Sequence, residues 1–386
     1  MKYIAHLGRQ TDIAIAELES LAGENNIKPI SDDACFVGTD LLFDRIGSSS
    51  KLSEMITTLD GVSSYETAMK QATPIVIAKA AKLTGKLKLG ISVYGLDLAP
   101  RSISASGLQL KKQLKSAGVS VRLIPNKQTT LNAAQILNNK LTSHNGFELN
   151  LVFDSQEKKV HLSRTIAVQD IDEYARRDRE KPARDALVGM LPPKLAQTLI
   201  NLTAASEEDT VLDPFCGSGT ILMEASMMNI ASVGSDISPA MIRASEENMA
   251  WLTHRRDAPT YTIIKGDATT HSWPSTITVV AGETYLGPAL NSMPEPTKLE
   301  SIIHEVNATH VAFLKNLAIQ IPSGTRLCLA VPAWMVKKDQ FKDLHLLDDL
   351  EKLGYNAVRF RNVSNQLVYY RENQLVARRI LTLIRK

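Results

Sequence analysis

One stretch narrows the folds open to this chain more than any other: Thr210-Val-Leu-Asp213-Pro-Phe215-Cys-Gly217-Ser-Gly219-Thr220-Ile-Leu-Met-Glu224-Ala. Val211 and Leu212 read as the end of a buried strand. Gly217 and Gly219 predict a tight turn where backbone can lie close to a ligand. Ile221, Leu222 and Ala225 begin a helical pattern. A strand that enters a helix through a glycine turn is the cofactor cradle of an open α/β sheet. Beyond Thr220 the elements alternate as a doubly wound sheet requires. Residues 231–236 read as a second strand ending in Asp236, at the spacing where a carboxylate accepts hydrogen bonds from both ribose hydroxyls. Ser238-Pro239 opens a helix. Residues 261–268 are a third strand and its end, with Asp267 and Ala268. Residues 276–281 predict a fourth strand and 325–330 a fifth. Helices are predicted at 297–321, opening on the capping-box pattern Thr297-Lys-Leu-Glu300, and at 339–353. The tail predicts a strand at 355–360 and a hairpin from 366–370 to 375–383, turned at 371–373. Arg378 and Arg379 on that hairpin are read as facing water, with a nucleic-acid contact as the alternative.

Upstream, residues 1–60 read as a small α/β unit: strands near 3–7 and 34–37, an amphipathic helix through Ile13, Ile15, Leu18 and Leu21, and a short helix at 53–59. Residues 61–165 form a second unit. It carries helices at 74–83, 108–117 and 130–141, strands at 88–94 and 119–124, and a hairpin of 147–153 with 159–165. A charged connector, 166–195, leads into the glycine-turn domain, 196–386.

Composition removes several classes. The chain has 386 residues, room for two or three domains, and a net charge of only +3. Any nucleic-acid affinity must therefore come from local patches. Cys35, Cys216 and Cys328 are odd in number and widely spaced, which fits a reducing, cytoplasmic setting and no zinc site. Cys216 reads as a packing residue, because no base sits beside it. No apolar run reaches the length of a membrane span, and the first residues lack a signal-peptide pattern. Neither a metal nor a membrane is expected as a partner.

The block Asp213-Pro-Phe-Cys-Gly-Ser-Gly-Thr220 closely resembles the first cofactor motif of S-adenosylmethionine methyltransferases that modify amino groups on nucleic-acid bases. The strings "KLGISVYG", "VSVRLIPNKQTTLNAAQILNNKL" and "ELNLVFDSQEKKVHLSRTIAVQDIDEY" resemble a THUMP domain. "YARRDREKPARDALVGMLPPKLAQTLINL" resembles the lead-in to the catalytic domain of THUMP-containing tRNA guanine-N2 methyltransferases. The resemblance implies a C-terminal Rossmann-like class I methyltransferase domain behind a ferredoxin-like plus THUMP α/β region that binds RNA. It implies transfer of a methyl group to the exocyclic N2 of a guanosine in tRNA. Asp213, Phe215, Gly217, Gly219, Thr220, Asp236, Ile237, Asp267 and Ala268 are then the cofactor residues, and the connector helps to cover the cofactor; for its arginines, a linker salt-bridged to itself is an equally good reading. Lys111, Lys112, Lys115, Arg122 and Lys127 are the RNA contacts; a solvated helix face is their alternative.

The acceptor motif departs from the family pattern. In place of an Asp or Asn, two prolines and an aromatic residue, this chain has Gly282-Glu283-Thr-Tyr285-Leu-Gly287-Pro. Aligning the downstream glycine makes Glu283 the acid; aligning the aromatic residue leaves Gly282 there and gives Tyr285 the stacking role. Glu283 can accept the hydrogens of a target amine and Tyr285 can stack on its base, so both are the catalytic candidates. Two other readings stay open: a silent protein that binds cofactor and tRNA, and a DNA amino-methyltransferase. The sequence leaves open the modified nucleotide, the number of methyls, the activity of the altered motif and the oligomeric state.

Overall fold

The computed structural model describes all residues except 1, 84, 185–189, 255, 338, 365 and 372–373. Part of the lead-in motif and most of the expected 371–373 turn lie outside the described residues. The chain separates into two compact units: Met1–Asp44 with Ser48–Ile171, and Arg45–Gly47 with Asp172–Lys386.

The first unit contains β1 (Tyr3–Leu7), α1 (Thr11–Ala22), β2 (Ile27–Ser31), β3 (Ala34–Val37), β4 (Ser49–Asp60), α2 (Tyr65–Ala80), β5 (Leu87–Tyr94), α3 (Pro100–Ser116), β6 (Val121–Leu123), α4 (Ala133–Asn138), β7 (Gly146–Asp154) and β8 (Lys159–Val168). The strands form one sheet in the order β2-β3-β1-β4-β8-β7-β5-β6. The predicted division at residue 60 therefore falls within a single sheet, where β4 pairs with both β1 and β8. The short helix expected at 53–59 is a correction: these residues belong to β4. Two neighbouring strands satisfy its backbone, and that pairing outweighs the local apolar spacing. One face of the sheet packs Ile91, Val93, Leu149 and Leu151 against Val76, Ile103, Leu110 and Leu114 of α2 and α3. Along the other face runs a buried polar row. Lys51 Nζ lies 2.8 Å from Glu148 Oε1, Ser92 Oγ also donates to Glu148, and Thr165 Oγ1 donates to its second oxygen.

α5 (Ile171–Arg179) follows. The second unit then holds α6 (Pro193–Leu202), β9 (Thr210–Asp213), α7 (Thr220–Met227), β10 (Ala231–Asp236), α8 (Pro239–Thr253), β11 (Tyr261–Lys265), β12 (Val279–Glu283), α9 (Pro296–Ala318), β13 (Arg326–Lys337), β14 (Gln340–Lys342), β15 (Tyr355–Ala357), β16 (Val368–Tyr369) and β17 (Val376–Arg385). The sheet order is β11-β10-β9-β12-β13-β17-β15. β9 to β13 run parallel, and β17 is antiparallel to β13, β15 and β16. The central strands are apolar on both faces, as a sheet covered by helices on both sides demands: Val211, Leu212, Val280 and Leu327 are fully buried. Two expectations fail here. Residues 339–353 form β14 and a 3-10 turn, His345–Asp348, rather than one helix. Leu346 and Leu350 still reach the core, but a turn suffices to bring them there. The capping box at Thr297 does not form, because α9 begins at Pro296 and has no side-chain cap; Glu300 faces Lys342 and His345 instead.

Candidate active site

The chain leaves β9 for β10 on one side and later returns to β12 on the other. β9 and β12 therefore flank the point where strand order reverses, which opens a crevice at their carboxyl ends. β10, β9 and β12 end there in Asp236, Asp213 and Glu283.

Asp213 is 2% exposed, and its Oδ1 accepts from Phe215 N at 3.1 Å. It lies against Gly282: a Cβ at that glycine would stand 2.5 Å from Asp213 Oδ1. Burial pushes the Asp213 carboxyl well above the ordinary aspartate range, and the charges of Asp236 and Glu283 push the same way. After Asp213 the chain turns through Gly217 (φ +49°) and Gly219 (φ +81°). A Cβ on Gly219 would come within 2.5 Å of Ser245 Oγ, so glycine is required for space as well as for φ. No side chain caps the helix that follows, so its first amides are open to an anionic group. Cys216 is 5% exposed and packs with Leu222, Met223, Met249 and Leu252. Burial drives its thiol well above the usual range, in keeping with the packing role expected of it.

Asp236 ties the loops around the crevice together. Its Oδ2 accepts from Gly217 N at 3.0 Å and its Oδ1 from Ser238 N at 2.8 Å. Each carboxylate oxygen keeps a lone pair for another donor. Beside it, Ile237 is 64% exposed. Asp267 Oδ1 accepts from the backbone and hydroxyl of Thr269, at 2.9 and 2.7 Å, while its Oδ2 has no partner among the described residues. The Ala268 carbonyl accepts from Asn316 at 3.0 Å, which fixes that peptide. Phe215 meets the edge of Phe313 at 5.0 Å between centroids.

The segment ahead of α6 is fastened to the glycine turn by groups that sequence reasoning passed over. Lys181, 1% exposed, donates from Nζ to Thr220 Oγ1 at 3.0 Å. Burial lowers its ammonium below the ordinary lysine value, against the pull of Asp178 and Glu224. Arg177 meets Glu224 through two bonds, Nε–Oε1 at 2.7 Å and Nη2–Oε2 at 3.2 Å, with Glu224 fully buried. Asn248 exchanges two bonds with the backbone of Ala183, each 2.9 Å, and donates to Ser218 O at 2.8 Å. One signal was available: an acid, Glu224, inside the apolar run Ile221–Ala225 needs a buried partner.

At the other wall, Glu283 ends β12 and is paired. Arg378 Nε donates to its Oε1 at 2.5 Å, and Arg378 is 4% exposed. Burial pushes the Glu283 carboxyl up, and the guanidinium pulls it back. The reading of Arg378 and Arg379 as water-facing is thereby corrected, for Arg379 is held by both oxygens of Asp343, at 3.0 and 2.7 Å. Next to Glu283, Thr284 is buried against His310, whose Nε2 lies 2.7 Å from Thr284 Oγ1 and whose Nδ1 donates to Val306 O at 2.8 Å. Tyr285 is 41% exposed.

The five basic residues nominated in the first unit do not form one patch. Lys111, Lys112 and Lys115 lie on the outer side of α3, whose Ile103, Gly107, Leu110 and Leu114 are buried. Val121 and Leu123 pack toward α3, so Arg122 between them points to the other face of the sheet. Lys127 lies on the loop after β6. Among the described residues, no helix is long and apolar enough to cross a membrane, and no three His, Cys, Asp or Glu side chains come together as metal ligands.

Comparison with known proteins finds a family match within the second unit. Residues 181–262 match the family described as RMKL-like, methyltransferase domain. The match covers the glycine turn, Asp236 and the segment bearing Lys181. The chain is 28% identical over 147 residues to the tRNA (guanine(10)-N2)-dimethyltransferase of Methanothermobacter thermautotrophicus, a stretch that is 38% of this chain and 40% of that protein. It is 37% identical over 79 residues to the protein of that name from Pyrococcus abyssi, 20% of this chain and 22% of the relative. The chain thus spans well under half the length of these curated relatives. Among solved structures, TrmN from Thermus thermophilus superposes with a TM-score of 0.55 at 14% identity, covering 100% of both chains. That likeness establishes the Rossmann-like methyltransferase fold.

Proposed function

We propose that this chain transfers a methyl group from S-adenosylmethionine to the exocyclic N2 of a guanosine in tRNA, in the cytoplasm. The observation that carries the reading is the row of three strand-end acids, Asp236, Asp213 and Glu283, around an uncapped helix behind a glycine turn. The names of the curated relatives add the substrate.

The residues fit the cofactor. At Gly219 and Gly282 a single Cβ would meet Ser245 or Asp213 at 2.5 Å, so the protein's own packing holds both positions to glycine and keeps the turn and the end of β12 compact beside the crevice. Asp236, with a lone pair left on each oxygen, accepts from the ribose hydroxyls. The exposed Ile237 offers an apolar face to the adenine. Asp267 Oδ2 accepts from the adenine amine, and the Ala268 amide donates to the neighbouring ring nitrogen. The glycine turn and the first amides of α7 receive the methionine carboxylate, with Lys181 behind Thr220 adding positive charge. When bound, S-adenosylmethionine supplies an electrophilic methyl group on a sulfonium sulfur. Glu283 accepts the hydrogens of the target amine and Tyr285 stacks on its base. Holding those hydrogens turns the nitrogen lone pair out of conjugation with the ring and toward the methyl group, a gain of orientation. In the first unit, the α3 lysines contact phosphates and position the tRNA without reading its sequence.

Two substitutions separate the two halves of the site. Asp236→Ala is expected to weaken S-adenosylmethionine binding more than tenfold by calorimetry. Glu283→Ala is expected to bind the cofactor like the parent and to lose about 100-fold in turnover, the scale on which one oriented polar contact acts. If both variants bind the cofactor like the parent, the pocket assignment is wrong.

A further inference from the structure

We propose that Arg378 is the positioning residue for the acceptor acid: it anchors one oxygen of Glu283 and keeps the group an acceptor-only carboxylate, which selects an amine flanked by a second donor. The inference rests on the acceptor role given to Glu283 above.

Arg378 reaches Glu283 from a strand that is not its neighbour. Glu283 sits opposite Ala330 of β13, while Arg378 of β17 sits opposite Pro332 of the same strand. The guanidinium therefore extends past β13 at the carboxyl end of the sheet, and it is buried there. Its other partner is Gln374, at 3.3 Å from Nη1. Only Oε1 of Glu283 is engaged; Oε2 has no hydrogen-bond partner among the described residues. Arg378, though buried, is spent on the carboxylate at the proposed acceptor position.

The chemistry of the pair decides among bases. An ionised carboxylate only accepts hydrogen bonds. The Watson–Crick edge of guanine offers N1–H beside the N2 amine, two donors together. Adenine and cytosine place a ring-nitrogen acceptor beside their amines, and that lone pair meets a carboxylate unfavourably. A protonated Glu283 would present a donor instead and lose the preference. Arg378 opposes that protonation, and by holding Oε1 it fixes the direction of Oε2. A sequence without the paired prolines of its relatives thus keeps a defined acceptor by pairing across the sheet.

The experiment follows the Glu283 carboxyl directly, by carbon-13 NMR of protein labelled at glutamate, with Glu283→Gln assigning the resonance. It is paired with pH profiles of kcat for methyl transfer to unmodified tRNA. In Arg378→Gln, the Glu283 midpoint is expected to rise by at least one pH unit and the acid limb of kcat to rise with it. KM for tRNA and cofactor affinity should stay within twofold. Arg378→Lys keeps the charge without the fork and should fall between; it also serves if the glutamine variant folds poorly. An active parent whose acid limb does not move in either variant overturns the role of Arg378 alone. A parent that transfers no methyl to tRNA, or that methylates adenosine or cytidine amines, overturns the acceptor reading of Glu283 and the base selection together.

Discussion

At Gly282 the methyltransferase fold leaves no room for one carbon atom. Its backbone conformation is open to any residue, so the constraint is purely one of space: the carboxyl of Asp213 lies 2.5 Å from where a Cβ would stand. Gly282→Ala is expected to force Asp213 aside, to destabilise the unit by about 1–3 kcal/mol in urea denaturation, and to weaken cofactor binding. Unchanged affinity would show that Asp213 does not shape the pocket. Asp213, Asp236 and Asp267 were legible in the sequence because carboxylates at the ends of apolar strands, in that order and spacing, have few structural reasons to be there; Glu283 came forward only under one of two alignments of the acceptor motif. The pairing of Glu283 with Arg378 was not legible. The two residues are 95 positions apart, and only the insertion of β17 beside β13 brings them together. The same holds for Arg379 with Asp343.

Among the elements, the charged connector gains most from the structure. From its residues alone, a cover for the cofactor and a linker bridged to itself were equally good readings. The structure holds features of both: Arg177 and Lys181 bond to Glu224 and Thr220 on the helix behind the glycine turn, while Arg176 bridges to Glu173 within the connector at 2.6 Å. Glu224→Ala leaves a buried guanidinium without its carboxylate and should destabilise the unit by about 3–5 kcal/mol. The double replacement Arg177→Met with Glu224→Met should recover most of that stability. It should also bind S-adenosylmethionine more weakly than the parent, since the segment then loses its fastening. Equal losses in the single and double variants in urea denaturation would contradict the pairing. Elements with strong periodicity on buried faces were read well: β5, β7, β8 and α9 stand close to where the pattern put them, whereas α3 begins at Pro100, eight residues before the expected 108, and α2 at Tyr65, nine before the expected 74. The misreadings at 53–59 and 339–353 share a cause. Each segment has apolar residues at helical spacing, and in each the neighbouring strands or a turn satisfied the backbone first.

For the whole molecule, buried histidines set the acid limit. His310 is held neutral by burial, its value lowered from 6.5 to about 4. Between those two pH values the unfolded chain binds a proton that the folded chain does not, so stability rises with pH. It is complete above about pH 6.5 and declines by about 3 kcal/mol as the pH falls to 4. His6, also buried and lowered, adds to the same trend. Urea midpoints should fall from pH 7 to 4, and His310→Gln should flatten part of that slope. At this scale the glycine turn and the alternation of strands and helices were enough to predict a Rossmann-like domain. The union of residues 1–168 in one sheet was not predictable, because the pairing of β4 with β8 joins segments about a hundred residues apart. The central claim, methyl transfer to a guanosine amine, is tested most directly by incubating the protein with labelled S-adenosylmethionine and unmodified tRNA, then resolving the nucleosides. Label in N2-methylguanosine or its dimethyl form is the predicted result. Label confined to another nucleoside, or no label from a protein that binds the cofactor, would contradict it.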